Sequence, residues 1–167
     1  MISPDMDSLI EKLKSDDGIE RQHARHDLVQ IGEPALDALI KAFEIKEDPL
    51  HWEVAKALSQ IGTSRAAHTL VEALEDHEFS VRWIGAEGLI HIGDDAVIPL
   101  LKALEYKTDS VWLREGCHHV LHDMVNRKLI NEKTRECVIP VLKALNHFDA
   151  AVKANTAAIE ALKKLEG

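Results

Sequence analysis

The stretch LHWEVAKALSQIG at Leu50–Gly62 recurs 31 residues later as VRWIGAEGLIHIG at Val81–Gly93, without a gap between the two copies. Both copies place apolar residues at helical spacing, and both end in Ile-Gly. Glycine readily adopts the left-handed conformation that ends many helices, whereas a residue with a Cβ resists it. Each copy therefore predicts one helix that ends at its glycine.

Three further copies extend this repeat along the chain. They are ERQHARHDLVQIG at 20–32, LREGCHHVLHDM at 113–124 and a degenerate VKANTAAIEALKKLEG at 152–167. A second apolar helical pattern, such as DAVIPLLKALE, lies between the copies. The N-terminal SPDMDSLIEKLKSDD supplies the first of these helices, with Ser3 or Asp5 as its N-cap. The sequence therefore predicts ten helices in five antiparallel pairs.

A single helix pair cannot bury its apolar face alone, so neighbouring pairs must stack into a solenoid. We therefore predict an all-α, right-handed α–α superhelix that forms one domain over residues 1–167. Its units run roughly over 4–32, 33–62, 63–93, 94–127 and 131–167, and the segment NRKLINEK lengthens the link before the last unit. With 46% hydrophobic but only 4% aromatic residues, the core is expected to be aliphatic.

The charge of the chain narrows the classes of partner. A formal charge of −9 disfavours nucleic acid, because binding to phosphates depends on lysine and arginine, and it also disfavours anionic membranes. The start of the chain does not resemble a signal peptide, and no run of about 18 apolar residues occurs. We expect a cytoplasmic protein without a cofactor. Cys117 and Cys137 lie on apolar helical patterns and are expected to be reduced and buried.

A turn aspartate followed by Val-Arg, small residues, leucine and Ile-Gly resembles the HEAT-like repeats of the phycobilisome-lyase type, and SVRWIGAEGLIHIG is the best match. The resemblance implies that the second helix of each pair lines a concave face. It also implies a ladder of contacts between turn aspartates and helix-start residues of successive units. These are Asp17, Asp48, Asp76, Asp109 and Asp149, and Arg21, His51, Arg82, Arg114 and Lys153. Since His51 and Lys153 are not arginines, their pairs are expected to lack the ladder contact.

Helical register places one set of side chains on the predicted concave face. The residues expected to contact a partner are Trp52, Glu53, Lys56, Trp83, Glu87, His91, Glu115, His119 and His122. Trp52 and Trp83 occupy equivalent positions and are predicted apolar anchors, unless both rings pack over a neighbouring turn, as Trp112 is expected to do. Glu53, Glu87, Glu115 and His119 would select a basic or hydrogen-bonding partner. The predicted function is non-catalytic binding of another protein or peptide, and no oligomeric state is predicted.

A metal site is the alternative for Glu115, His119 and His122, which project from one helix within two turns, if Glu87 or His91 adds a ligand. Deoxyhypusine hydroxylase, built of similar repeats, holds iron with repeated His-Glu pairs. The matching positions read Gln22-His23, Trp52-Glu53, Trp83-Ile84 and Glu115-Gly116, so that activity is not predicted.

His118 takes a core position that alanine holds in Ala55 and Ala86, so it is expected to need a hydrogen-bond partner. The alternatives to a non-catalytic binding module are a metal-dependent enzyme, and a bilin-lyase-like or chaperone subunit that acts with a partner chain.

Overall fold

The computed structural model describes residues 5–45 and 47–167, and the regular structure in this part of the chain is helical. The α-helices are α1 (Met6–Lys12), α2 (Gly18–Ile31), α3 (Leu36–Phe43), α4 (Leu50–Ile61), α5 (Ala67–Ala73), α6 (Phe79–Ile92), α7 (Val97–Tyr106), α8 (Val111–Asn126), α9 (Glu132–Leu145) and α10 (Ala150–Glu166). Short 3₁₀ turns precede α3, α5 and α7. The predicted all-α fold is confirmed.

The predicted helix ends are also confirmed. Asp5 caps α1 by accepting a hydrogen bond from the Asp7 N–H, while Ser3 lies outside the described residues. The glycines that follow α2, α4 and α6 have φ values of 72°, 65° and 73°. Gly62 is constrained a second time, because an added Cβ would lie 2.6 Å from Cδ2 of His91. A side chain at Gly62 would displace that imidazole.

The helices stack in two layers over most of the chain. The helices α2, α4, α6 and α8 pack against one another in succession, and we call them the even layer. Each also packs against the helix that precedes it, and the space between the layers is filled by aliphatic side chains such as Leu58, Leu89 and Leu121. The core is aliphatic, as predicted, and both cysteines are buried and free.

The last helix pair departs from this order. The helix α9 packs against α8, whereas α10 packs mainly against α7 and α9. The side-chain amide of Asn155 donates to the Glu105 carbonyl at 2.6 Å, and Nζ of Lys102 lies 2.8 Å from Oε1 of Glu166. In a regular stack, α10 would pack against α8. The two helices of the last pair have therefore exchanged layers.

The buried face of α10 shows the same exchange. The repeat aligns Val152 with Leu50, Val81 and Leu113, which are at most 1% exposed, yet Val152 is 70% exposed. The buried residues of α10 are instead Ala154, Ala158, Ala161 and Leu162. This corrects the interpretation of 152–167 as a degenerate copy of the second helix with the same core face.

Two features account for the exchange of layers. The alanines of α10 allow it to approach its neighbours closely, since small side chains leave room for backbone-to-backbone packing. On α8, His118 stands where alanine occurs in α4 and α6, and its larger ring opposes equally close packing of a following helix. The link before α9 covers residues 127–131 and is no longer than the link between α4 and α5, so the expected lengthening is not seen. A hydrogen bond from the Asn131 N–H to Asp94 holds this link.

Candidate functional site

The arginines at the starts of α2, α6 and α8 each bind the backbone of the turn that precedes their own helix. In each case Nη1 donates to the carbonyl six residues earlier in the chain. The contacts are Arg21 to Ser15 at 2.6 Å, Arg82 to Asp76 at 2.7 Å, and Arg114 to Thr108. The arginine thus satisfies a backbone acceptor of the preceding turn, instead of pairing with the aspartate carboxylate of that turn.

His51 makes the ladder contact that its replacement of arginine was expected to remove. Its Nδ1 lies 2.6 Å from Oδ2 of Asp76, and its Nε2 lies 2.7 Å from the Phe43 carbonyl oxygen. The imidazole also stacks on the Phe43 ring, with 4.4 Å between centroids. Because His51 starts α4 and Asp76 precedes α6, the contact joins successive helix pairs. The expectation for His51 was therefore wrong.

Glu53 belongs to the interface between α2 and α4. Its Oε1 lies 3.2 Å from Nε of Arg21, its Oε2 lies 2.8 Å from Nε of Arg25, and the residue is 5% exposed. This corrects the expectation that Glu53 faces a partner. The Arg25 guanidinium also lies 5.5 Å from the ring centroid of Trp52, which is half-buried against the core. Trp52 is therefore a packing residue of the same interface.

Trp83 has a different environment, although the repeat aligns it with Trp52. It is 48% exposed, and its ring stacks with His119 at a centroid distance of 5.1 Å. The centroid of the Phe79 ring lies 6.3 Å from that of the Trp83 ring. Of the two predicted anchors, Trp83 is the one that presents its ring to solvent.

A cleft between α6 and α8 gathers three exposed aromatic side chains, and we call it the aromatic cleft. Its lining residues are Leu74, Phe79, Arg82, Trp83, Ala86, Trp112, Glu115, Gly116 and His119. Its volume of about 200 Å³ is below the roughly 300–1,000 Å³ of small-molecule sites, so it suits one side chain. Phe79, Trp83 and Trp112 are 68%, 48% and 45% exposed. Clustered exposed apolar groups of this kind mark interaction surfaces.

Arg82 stands between two of these rings. Its guanidinium carbon lies 4.6 Å from the ring centroid of Trp112 and 5.6 Å from that of Phe79. Its Nη1 donates to the carbonyls of Asp76 and His77. Trp112 therefore covers the arginine that closes the turn, and its remaining exposed face borders the cleft.

The two other predicted acidic residues lie at the mouth of the aromatic cleft or next to it. Glu87 and Glu115 are exposed, and among the described residues neither carboxylate lies within 4.0 Å of a lysine or arginine nitrogen. Glu87 Oε1 lies 3.9 Å from Nε2 of His119. Lys56 is half-buried, and the exposed His91 packs over Gly62.

The histidines of α8 are close together but largely unpaired. The rings of His118 and His122 stack at 5.6 Å, and the Asn126 amide lies 3.2 Å from the His122 ring. The Nε2 atoms of His118 and His119 are buried, and neither has a hydrogen-bond partner among the described residues. Burial lowers the pKa of His118, and the neighbouring His122 and His119 lower it further. These effects favour the neutral form of the His118 imidazole.

The structure does not bring the candidate metal ligands together. Within the described ranges, the one group of three potential donors that lie within 4.8 Å of one another is Asp48, His77 and Glu78, all exposed. Glu115, His119 and His122 do not form such a group. The structure therefore does not favour the metal alternative for this helix.

Besides the buried Leu74 and Ala86, four lining residues were missing from the sequence-based set of partner contacts: Phe79, Arg82, Trp112 and Gly116. Arg82 had been assigned to the ladder, and the other three precede or interrupt the repeated exposed positions. The sequence contains one sign of the cleft: α8 has Gly116, which has no side chain, at the position that Glu53 holds in α4.

Across the described part of the chain, no helix combines the length and apolar character needed to cross a membrane.

Comparison with known proteins gives one family match. A family model described as HEAT repeats matches residues 6–89 and 52–121. Phycocyanobilin lyase subunit alpha of Picosynechococcus sp. is 37% identical in an alignment of 79 residues that covers 43% of this chain and 30% of that protein. The phenylalanine–tRNA ligase alpha subunit of Sulfurisphaera tokodaii is 34% identical over 76 residues, 43% of this chain and 16% of that protein. The chain thus covers less than a third of the length of either relative.

A solved structure shows the same fold over nearly the whole chain. It is the complex of CpcE and CpcF of phycocyanin lyase from Nostoc sp. PCC7120, which matches with a TM-score of 0.57 at 20% identity. The match covers 91% of this chain and 96% of that one. At this identity the likeness concerns the stacked helix pairs alone.

Proposed function

The chain belongs to the HEAT repeat family, and from that premise we propose that it is a non-catalytic module that binds a segment of another protein or peptide. The observation that carries the proposal is the aromatic cleft, around which Phe79, Trp83 and Trp112 expose their rings. Burying such rings against a partner removes a large apolar area from water at a low cost in side-chain entropy.

The partner segment would insert one side chain between Trp83 and Trp112, with its methylene groups against the two rings. Glu87 and Glu115, which have no lysine or arginine partner among the described residues, are available to basic or hydrogen-bonding groups beside that anchor. His119 completes the wall next to Trp83. Lys56, His91 and His122 lie on the same layer and would contact a longer segment.

Affinity capture from the cells that produce the protein tests this proposal. Immobilised wild-type protein should retain a partner, and Trp83→Ala and Trp112→Ala should each weaken its purified complex by about ten-fold or more. Tyr106→Ala is the matched control, because Tyr106 is 79% exposed on α7, away from the cleft. Equal binding by all three variants, or an equal loss with Tyr106→Ala, would contradict the proposal.

A second candidate is a lyase-like or chaperone subunit that acts with another chain. The likeness to phycocyanobilin lyase subunit alpha and to the CpcE–CpcF complex favours it. Titration of the purified chain with phycocyanobilin, alone and together with the captured partner, should then shift the absorption spectrum of the chromophore. An unchanged spectrum in both titrations would count against this candidate and leave the binding module standing.

A further inference from the structure

The repeat allows two interfaces of the even layer to be compared residue by residue. Arg21 in α2 and Arg82 in α6 are equivalent, and so are Glu53 in α4 and Gly116 in α8, the helices that follow them. Between α2 and α4, the Glu53 carboxylate binds Nε of both Arg21 and Arg25. Between α6 and α8, the corresponding position has no side chain, because it is Gly116.

Arg82 consequently lacks the carboxylate that its counterpart Arg21 has. Among the residues that the structure describes, no carboxylate oxygen lies within 4.0 Å of an Arg82 side-chain nitrogen. Within residues 5–45 and 47–167, Nη1 is the one side-chain nitrogen of Arg82 that has hydrogen-bond acceptors, and these are the two turn carbonyls. The Nε and Nη2 groups of Arg82 therefore remain available as donors.

The space that a carboxylate would fill is part of the aromatic cleft, whose lining includes both Arg82 and Gly116. A second unsatisfied polar group borders the same space. Nε2 of His119 is buried and has no hydrogen-bond partner in the part of the chain that the structure describes. In its Nε2–H tautomer, His119 would donate to an acceptor in the cleft. A buried polar atom without a partner costs free energy, so an acceptor placed there is favoured.

We propose that the aromatic cleft binds a glutamate side chain of the partner, whose carboxylate takes the place between α6 and α8 that the Glu53 carboxylate takes between α2 and α4. This inference rests on the proposed function and names the chemistry of the bound residue. Arg82 and His119 donate to the carboxylate through charge-assisted hydrogen bonds. The methylene groups of the glutamate pack against the rings of Trp83 and Trp112.

Glu115 sets a further condition on the partner. It borders the same cleft, and its carboxylate repels a second one at short range. A lysine or arginine next to the partner's glutamate neutralises that repulsion, and Glu87 adds to the attraction for it. The segment that fits best therefore pairs a glutamate with a neighbouring basic residue.

The site can be tested within the chain itself by restoring the missing side chain. Gly116→Glu and Gly116→Gln displace Leu74 equally, since an added Cβ lies 3.1 Å from its Cδ2 in either variant. Gly116→Glu should melt about 2–4 °C above Gly116→Gln, which corresponds to one charge-assisted hydrogen bond in a domain of this size. The gap should vanish in an Arg82→Gln background. It should also vanish below about pH 4 without a second substitution, because the introduced carboxyl protonates. A melting point for Gly116→Glu at or below that of Gly116→Gln would overturn the assignment.

A library of random 12-residue peptides, displayed on phage and selected on the full-length protein, tests the partner chemistry. Enriched peptides, synthesised with both termini blocked, should contain glutamate. Its replacement by glutamine should weaken binding about ten-fold to the wild type but less than about two-fold to Arg82→Gln. Glu115→Gln should strengthen the binding of peptides in which the glutamate has no basic neighbour, because it removes the repulsion between the two carboxylates. Blocked termini remove the terminal carboxylate as an alternative source of the contact.

The outcomes separate this inference from the proposed function. Peptides that need Trp83 but no acidic residue would overturn the glutamate assignment and leave the binding module intact. An absence of enriched peptides, or peptides that bind Trp83→Ala as well as wild type, would overturn both.

Discussion

Nδ1 of His51 and Oδ2 of Asp76 lie 2.6 Å apart, and both side chains are about 5% exposed or less. The second carboxylate oxygen of Asp76 accepts a hydrogen bond from the Glu78 N–H at 2.8 Å, and Nε2 of His51 reaches the Phe43 carbonyl. Every polar side-chain atom of the pair thus has a hydrogen-bond partner. The contact fixes the turn before α6 against the start of α4 and sets the spacing of two helix pairs.

The His51–Asp76 contact should dominate local stability. His51→Ala and Asp76→Ala should each lower the free energy of unfolding by about 2–3 kcal/mol, because each leaves a buried polar group without its partner. The double variant should cost less than the sum of the two. Urea unfolding measures all three. Arg65→Ala is the matched control, since its ion pair with Asp37 is exposed and should contribute less than about 1 kcal/mol. A strictly additive double variant would show that the two side chains do not interact.

Glu53 and Glu87 should respond differently to the same substitution. Glu53→Gln removes the charge that two partly exposed arginines share, and should cost about 1–3 kcal/mol of unfolding free energy after allowance for solvent screening. Glu87→Gln should change it by less than about 0.5 kcal/mol, since no lysine or arginine lies near it in the described residues. Thermal melts at pH 7.5 compare the two variants. Equal losses of stability would show that the Glu53 and Glu87 carboxylates contribute alike, against this prediction.

The helices α1 to α8 follow from the sequence because the signals that define them are local: apolar spacing, a positive-φ glycine and an N-cap. Burial of individual charged residues does not follow, since it depends on the neighbouring helix. Glu53 is buried because Arg21 and Arg25 of α2 reach it, whereas helical register alone places it at the edge of the exposed face. Likewise, Trp52 packs under Arg25 of the preceding even-layer helix, whereas the position equivalent to Arg25 on the helix before Trp83 is Ala55, which is too short to cover the ring.

The layer exchange of α10 could not be predicted for a related reason. Alanine is compatible with either a core or a surface position. The repeat alignment could therefore place Val152 in the core without conflicting with the apolar pattern of α10. The choice is made by long-range packing on α7 and α9, where the Ala154, Ala158 and Ala161 stripe fits. Sequence periodicity within one helix carries no information about which neighbour covers it.

Charge substitutions on α10 test the exchange of layers. Val152→Glu should cost less than about 0.5 kcal/mol, because this side chain is 70% exposed. Ala158→Glu should cost several kcal/mol, because Ala158 is 0% exposed and the introduced carboxylate would have no partner. Urea unfolding followed by circular dichroism gives both values. If Val152→Glu cost more than Ala158→Glu, the exchange of layers would be wrong, and α10 would pack against α8 as in a regular stack.

His118 should make stability depend on pH. Burial lowers its pKa below the ordinary 6.5, so above pH 6.5 it is neutral in both the folded and the unfolded chain and contributes no pH dependence. As the pH falls through 6.5, the unfolded chain binds the proton first, and stability declines until the pH reaches the lower folded-state pKa. The melting temperature should therefore fall more steeply from pH 7.5 to 5.5 in wild type than in His118→Ala. His68→Ala, an exposed control on α5, should retain the wild-type slope. A slope for His118→Ala equal to that of wild type would contradict the buried neutral state.

The two aligned tryptophans should separate stability from binding. Trp52 packs half-buried against the core and beneath Arg25, so Trp52→Ala should lower the free energy of unfolding by about 2–4 kcal/mol. Trp83 is 48% exposed and contacts mainly Phe79 and His119, so Trp83→Ala should lower it by less than about 1 kcal/mol. Urea unfolding of both variants at pH 7.5 provides the comparison. If Trp83→Ala proves as destabilising as Trp52→Ala, the ring is a structural element of the α6–α8 interface, and a loss of partner binding in that variant could no longer be assigned to the aromatic cleft.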